Sequence, residues 1–131
     1  MERSERPVKS YQDLIAWRKG ISLVLEVYKA TTDFPQHEIY GLSSQLRRAA
    51  TSIPSNIAEG HGRATSGEFV QFLCHSRGSL CEVETQIIIA RELGYVTAKQ
   101  AHVLMARTDH LGRILQGLIS SIQRRKSSRA H

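Results

Sequence analysis

The chain has 131 residues, a net charge of +6 and an apolar share of 40%, which suits one globular domain with an ordinary core. No run approaches the ~20 apolar residues of a membrane span, and the charged start MERSERPVKS does not read as a secretory leader, so a cytoplasmic protein is expected. The charge is uneven, because Arg124, Arg125, Lys126 and Arg129 stand in the last eight residues with no acid among them.

Residues 1–9 lack a helical stripe and read as an arm. Ser10 offers an N-cap with Asp13 three residues on. Leu14, Trp17, Ile21, Val24 and Tyr28 then form an apolar seam of helical period, which fades at Thr31–Thr32 before the Phe34-Pro35 turn. His37 to Gly41 fits either a loop or one helical turn. A second seam follows in Leu42, Leu46, Ala49, Ile53 and Ile57, with Pro54 inside it. An interior proline loses one backbone hydrogen bond and costs ~3 kcal/mol in an ordinary helix, so a kink offset by packing is expected. Gly60 and Gly62 close this element.

Thr65 and Glu68 form a capping box for a third helix, whose seam is Phe69, Leu73, Ser76, Leu80, Val83, Ile87 and Ala90. Leu93-Gly94 ends it with a glycine just past the last turn. Thr97 and Gln100 cap a fourth helix with the seam Ala101, Leu104, Thr108, Leu111, Leu115, Leu118 and Ile122. Four amphipathic helices joined by short turns predict an all-α, antiparallel up-down four-helix bundle over residues 10–123, followed by a basic tail at 124–131.

Two further stripes exceed what a plain bundle needs. In the second helix Gln45, Arg48, Ser52, Asn56, Glu59 and Arg63 share one polar face. Ser and Asn are mediocre helix formers, so the stripe reads as either a solvated face or a lining toward other subunits. In the third helix Cys74, Gly78, Cys81, Thr85 and Ile88 recur beside the core seam. Their small size fits close approach of a helix, either from the same chain or from another subunit. Arg47, Arg48 and Arg63, with Arg124, Arg125, Lys126 and Arg129, are the candidate contacts to nucleic-acid phosphates. A frayed, solubilising end is the alternative for the tail.

Catalytic chemistry finds no footing in the pattern. Cys74 and Cys81 lie seven residues apart, a rise of ~10.5 Å along a helix, beyond the ~7 Å Cα separation a disulfide tolerates. Cys74 and His75 diverge by ~100° on the helix, and the histidines do not gather as metal ligands. Glu82 and Glu84 beside Cys81 oppose a thiolate. No phosphate loop, dinucleotide fingerprint or nucleophile motif occurs. The Arg-to-His spacing used by helical RNases of the HEPN type occurs at Arg125 and His131, in the tail. No enzyme, metal or cofactor is therefore expected.

The stretch from Leu46 to Gly60, LRRAATSIPSNIAEG, resembles the signature of the 23S rRNA-intervening sequence family of four-helix-bundle proteins. Tyr11-Gln12-Asp13-Leu14-Ile15-Ala16-Trp17 is similar to its first-helix motif. Phe34-Pro35, Glu38 and Tyr40-Gly41-Leu42 are similar to its first connection. Gly78-Ser79-Leu80, Glu82 and Ala90–Tyr95 are similar to its third helix and turn. The resemblance implies a bundle assembled as a homopentamer. In a related branch, the accessory proteins of diversity-generating retroelements, it implies contact with a reverse transcriptase and with RNA or DNA. It carries no catalytic residues. Gln45, Ser52, Asn56, Glu59, Cys74, Gly78, Cys81 and Thr85 are the candidate interface residues of such an oligomer. The runner-up reading is a structural protein–protein module without a nucleic-acid role.

Overall fold

A computed structural model describes Ser10, Tyr11 and residues 14–130, with side chains through Arg125. The arm at 1–9, Gln12-Asp13, the side chains of Lys126 and Arg129, and His131 lie outside the described residues. Four helices make up the fold: α1 (Ile15–Thr31), α2 (Leu42–His61), α3 (Ser66–Glu92) and α4 (Ala98–Ala130). A 3-10 turn at Gln36–Glu38 precedes α2. No strand occurs among the described residues. α4 continues as helix through the basic segment to Ala130.

The helices pack in a closed square. α1 meets α2 and α4, α3 meets α2 and α4, and α1 and α3 stand diagonally without contact. Cross-helix neighbours fix the directions. Gly20 faces Pro54 while Thr31 meets Arg47. Gly60 faces Phe72 while Ser52 bonds to Ser79. Gly112 faces Leu80 while Thr108 bonds to Glu84. Numbers rise along one helix as they fall along the next, so consecutive helices are antiparallel.

The seams of α2 and α3 are the observed core lines. Leu42, Leu46, Ala49, Ile53 and Ile57 are buried, as are Leu73, Ser76, Leu80, Val83, Ile87 and Ala90. Phe69 packs at the border of that core. Ser76 is polar and fully buried, and it is satisfied by donating to the Ile53 carbonyl at 2.8 Å. α4 departs from its expected line at one point, where Ile119 is buried and Leu118 is partly exposed.

α1 corrects its expected seam. The buried line is Ala16, Gly20, Leu23, Val27 and Thr31. Leu14, Trp17, Ile21 and Val24 are only half-buried, and Tyr28 is 42% exposed. The reason lies at Gly20 and Pro54. A Cβ on Gly20 would already stand 3.4 Å from the Pro54 ring, so α1 approaches α2 through its small residues. The larger residues are left on an adjoining face. α2 is helical without interruption through Pro54, whose buried ring packs into this contact. That packing offsets the hydrogen bond proline cannot make.

The helix ends follow local chemistry. α1 starts from Leu14, with no side-chain cap, and the Asp13 of the expected Ser10 cap lies outside the described residues. Thr65 accepts from the Glu68 N–H at 3.1 Å. Thr97 and Gln100 form the full reciprocal box, at 2.8 and 3.0 Å. Gly94 has φ +81°, and the N–H groups of Gly94 and Tyr95 bond to the Arg91 and Ala90 carbonyls. This is the Schellman closure, in which the left-handed position favours glycine.

Candidate functional site

The connection between α1 and α2 sets the geometry of a cleft. Phe34 is buried and packs against Tyr95, their ring centroids 5.3 Å apart. Glu38 then turns back on the start of α2. Its Oε1 accepts from the Leu42 N–H at 3.0 Å, and its Oε2 accepts from the Tyr95 hydroxyl at 2.8 Å. A Cβ on Gly41 would stand 2.6 Å from that carboxylate, so a side chain there would displace the Glu38 oxygen from the Leu42 N–H. These bonds hold the Glu38 carboxyl below the usual carboxylate range, the Leu42 N–H contributing most and the Tyr95 hydroxyl next. The same contact raises the Tyr95 phenol above its usual range.

With α2 fixed this way, its first two turns face the last turn of α1 across a cleft of about 710 Å3. Arg47 and Arg48 line it, together with Tyr28, Thr31, Ser43 and Ser44. Arg47 is held on two sides. Its Nε donates to Thr31 Oγ1 at 2.7 Å, and its guanidinium lies 4.5 Å from the Tyr28 ring centroid. Arg48 donates to Ser44 Oγ at 3.0 Å. The two arginines expected from sequence are thus brought together.

Arg63 is not part of this group. Fifteen residues separate it from Arg48, which is ~22 Å along a helix. It pairs with Glu59 at 2.8 Å and lies 4.7 Å from the Phe72 ring centroid. The antiparallel order puts Arg63 toward the same end of the bundle as Arg124 and Arg125, which are exposed. The candidate cations therefore fall into two groups at opposite ends.

The two extra stripes differ in kind. On α2, Ser52 donates to the Ala49 carbonyl at 2.8 Å and accepts from the Ser79 hydroxyl at 2.6 Å, and Asn56 donates to the Ser52 carbonyl at 2.8 Å. Ser52 and Asn56 are half-buried and bonded within the chain, while Gln45 and Glu59 are exposed. On α3, Cys74 packs at the core border, but Gly78, Cys81, Thr85 and Ile88 are exposed. A Cβ on Gly78 would meet nothing within 4 Å, so no described helix occupies that face. The side face of α1 adds exposed Leu25, at 58%, and Tyr28.

Sequence reasoning did not find Tyr28, Thr31 or Ser43 as cleft residues. Thr31 read as the fading end of a helix and Tyr28 as core, and nothing in the spacing tied either to Arg47. Among the described residues no group of three or more His, Cys, Asp or Glu is placed to hold a metal ion. No described helix is long and apolar enough to cross a membrane.

Comparison with known proteins adds family and fold. The sequence profile described as 23S rRNA-intervening sequence protein matches residues 12–117. A crystal structure of a protein of unknown function from the S23 ribosomal protein family of Bacteroides thetaiotaomicron superposes with a TM-score of 0.72 at 19% identity. The match covers 80% of this chain and 98% of that one. No curated protein matches the chain.

Proposed function

The chain belongs to the 23S rRNA-intervening sequence protein family, and from that premise we propose that it is a non-catalytic scaffold that self-associates and contacts nucleic acid through one end of the bundle. The observation that carries this reading is a pair of unlike open faces on diagonal helices. α1 offers Leu25 and Tyr28 beside half-buried Ile21 and Trp17. α3 offers a shallow stripe of Gly78, Cys81 and Thr85 with Ile88 at its end. Bulky residues on one side and small ones on the other suit a head-to-tail contact between copies. Such a heterologous contact closes into a ring when its rotation allows, which accords with the pentamer that the sequence resemblance implies.

The polar stripe of α2 supports this assembly less directly, since Ser52 and Asn56 spend their hydrogen bonds within the chain. Nucleic-acid contact rests on Arg63, Arg124 and Arg125 at one end, joined in sequence by Lys126 and Arg129. Repetition around a ring would multiply these charges, and contacts of this kind weaken with salt through counterion release. A nucleic-acid enzyme such as a reverse transcriptase is a partner this reading accommodates.

Light scattering on the purified protein, with and without RNA, tests the proposal. A mass of several protomers and salt-sensitive RNA binding that falls on removal of residues 124–131 are expected. A monomer at micromolar concentration would overturn the association. RNA binding indifferent to both salt and the tail would overturn the electrostatic contact.

A further inference from the structure

The cleft between the end of α1 and the start of α2 has features that neither self-association nor end-on nucleic-acid contact uses. Its lining contains two arginines and no acid. Asp33 and Glu38 are near in sequence but do not line it, and Glu38 is engaged by Leu42 and Tyr95. Arg47 is immobilised through Nε and its ring contact, while its two Nη groups have no partner among the described residues. A guanidinium fixed in this way is ordered in advance for a planar, paired contact with an oxyanion.

Two more observations converge on the same ligand. Ser43 is 7% exposed and lines the cleft, and its hydroxyl makes no hydrogen bond to the described residues. Its oxygen is not sealed in the interior, so it is free to meet a ligand from the cleft. The N–H groups of Ser43 and Ser44 stand in the first turn of the 20-residue α2 and bond to no acceptor among the described residues, whereas that of Leu42 is taken by Glu38. First-turn amides favour an anion. Across the cleft, the hydroxyls of Thr31 and Thr32 donate to the Val27 and Tyr28 carbonyls. Their protons are thus turned back into α1, and the Thr31 oxygen is left to accept from Arg47 Nε.

We propose that this cleft binds a phosphomonoester carried on a nucleotide-sized molecule. The Nη groups of Arg47, the guanidinium of Arg48 and the Ser43 hydroxyl and amide supply enough donors for three terminal phosphate oxygens. A phosphodiester presents two. Ile39 and Phe34, both lining the cleft, give the remainder of the ligand an apolar wall. The volume, about 710 Å3, falls inside the ~300–1,000 Å3 of small-molecule sites.

Calorimetric titration of the full chain with each of the four nucleoside 5′-monophosphates, the matching nucleosides and inorganic phosphate tests the assignment. At least one monophosphate is expected to bind saturably, at least tenfold tighter than its nucleoside and tighter than inorganic phosphate. Arg48→Gln is expected to weaken it about tenfold, a loss typical of a charge-assisted bond, and Ser43→Ala severalfold. Arg48 is exposed, so its replacement leaves the fold intact where Arg47→Gln would disturb the α1–α2 contact. Arg63→Gln and removal of residues 124–131 are expected to leave the affinity unchanged, which separates this site from the nucleic-acid end. Equal binding of nucleotide and nucleoside overturns the proposal, as does absence of saturable binding. A loss with Arg63→Gln equal to that with Arg48→Gln does so too. Inorganic phosphate binding as tightly as every nucleotide overturns the nucleotide-sized ligand.

Discussion

Replacing Gly60 by alanine should destabilise the protein, although the same change in an open helix stabilises it. In a solvent-facing helix interior, Gly→Ala gains ~1 kcal/mol. At Gly60 the new Cβ would stand 2.6 Å from the Phe72 Cβ and 3.1 Å from the Phe69 Cδ1. Carbon atoms prefer ~3.5–4.0 Å, so the overlap with Phe72 is about 1 Å. The Phe72 Cβ is the stem of its side chain, and relief requires α3 itself to move away from α2. Overpacking of that kind costs ~1–3 kcal/mol and outweighs the propensity gain. Gly117 is the internal control, since it is exposed on α4 with nothing within 4 Å of its Cβ position. Gly60→Ala should lose about 1–2 kcal/mol and Gly117→Ala should gain up to about 1, a separation of ~2–3 kcal/mol. At roughly 4 °C per kcal/mol for a domain of this size, the two melting temperatures should differ by about 10 °C. Urea and thermal unfolding followed by circular dichroism would measure this. Protein concentration must be matched, because association raises apparent stability. Stabilisation by both substitutions would refute the reasoning.

The Glu38–Tyr95 contact gives a pH signature at each limb of the stability profile. The lowered carboxyl of Glu38 contributes stability above the ordinary carboxylate range and loses it as pH falls through its lowered value. Glu38→Gln should therefore flatten the acid limb of a urea-midpoint profile, and an unchanged limb would count against the contact. The raised phenol of Tyr95 contributes below the ordinary phenol range and loses that contribution as pH rises through its raised value. In Tyr95→Phe, NMR titration should find the Glu38 carboxyl moved upward yet still below its ordinary value, because the Leu42 N–H remains. Ser76→Ala should lose about 1 kcal/mol, the net worth of one buried hydrogen bond. Ser76→Leu should lose more by overpacking the α2–α3 contact. A urea midpoint indifferent to Ser76→Ala would discount the bond to Ile53.

Most of the bundle was legible in the sequence because three helices bury their largest apolar residues at a single period. α1 was not, for a physical reason. It carries two adjacent apolar faces, and periodicity favours the one with Trp17, Ile21 and Tyr28 over the one with Ala16, Gly20 and Leu23. The choice between them is made by Pro54 on another helix, which admits only small residues at the crossing. Leu118 and Ile119 in α4 are a smaller case of neighbours competing for one inward position. The arginines stood out by charge, but the cleft is built by Thr31 and Tyr28 from α1 and Ser43 from α2. Those residues carry no distinguishing pattern along the chain. The openness of the α3 stripe was likewise undetermined by spacing, since small residues suit an intrachain neighbour and a second subunit equally well.

Association through two unlike faces is tested most directly by mixing two variants. Leu25→Glu places a charge on the α1 face, and Gly78→Leu fills the shallow face of α3. Each variant retains the face the other has lost. Light scattering should give several protomers for the parent protein, monomers for each variant alone, and a heterodimer when the variants are combined at equal concentration. An isologous contact through one of the faces would leave one variant self-associated on its own and give no heterodimer, and a monomeric parent would contradict the association outright.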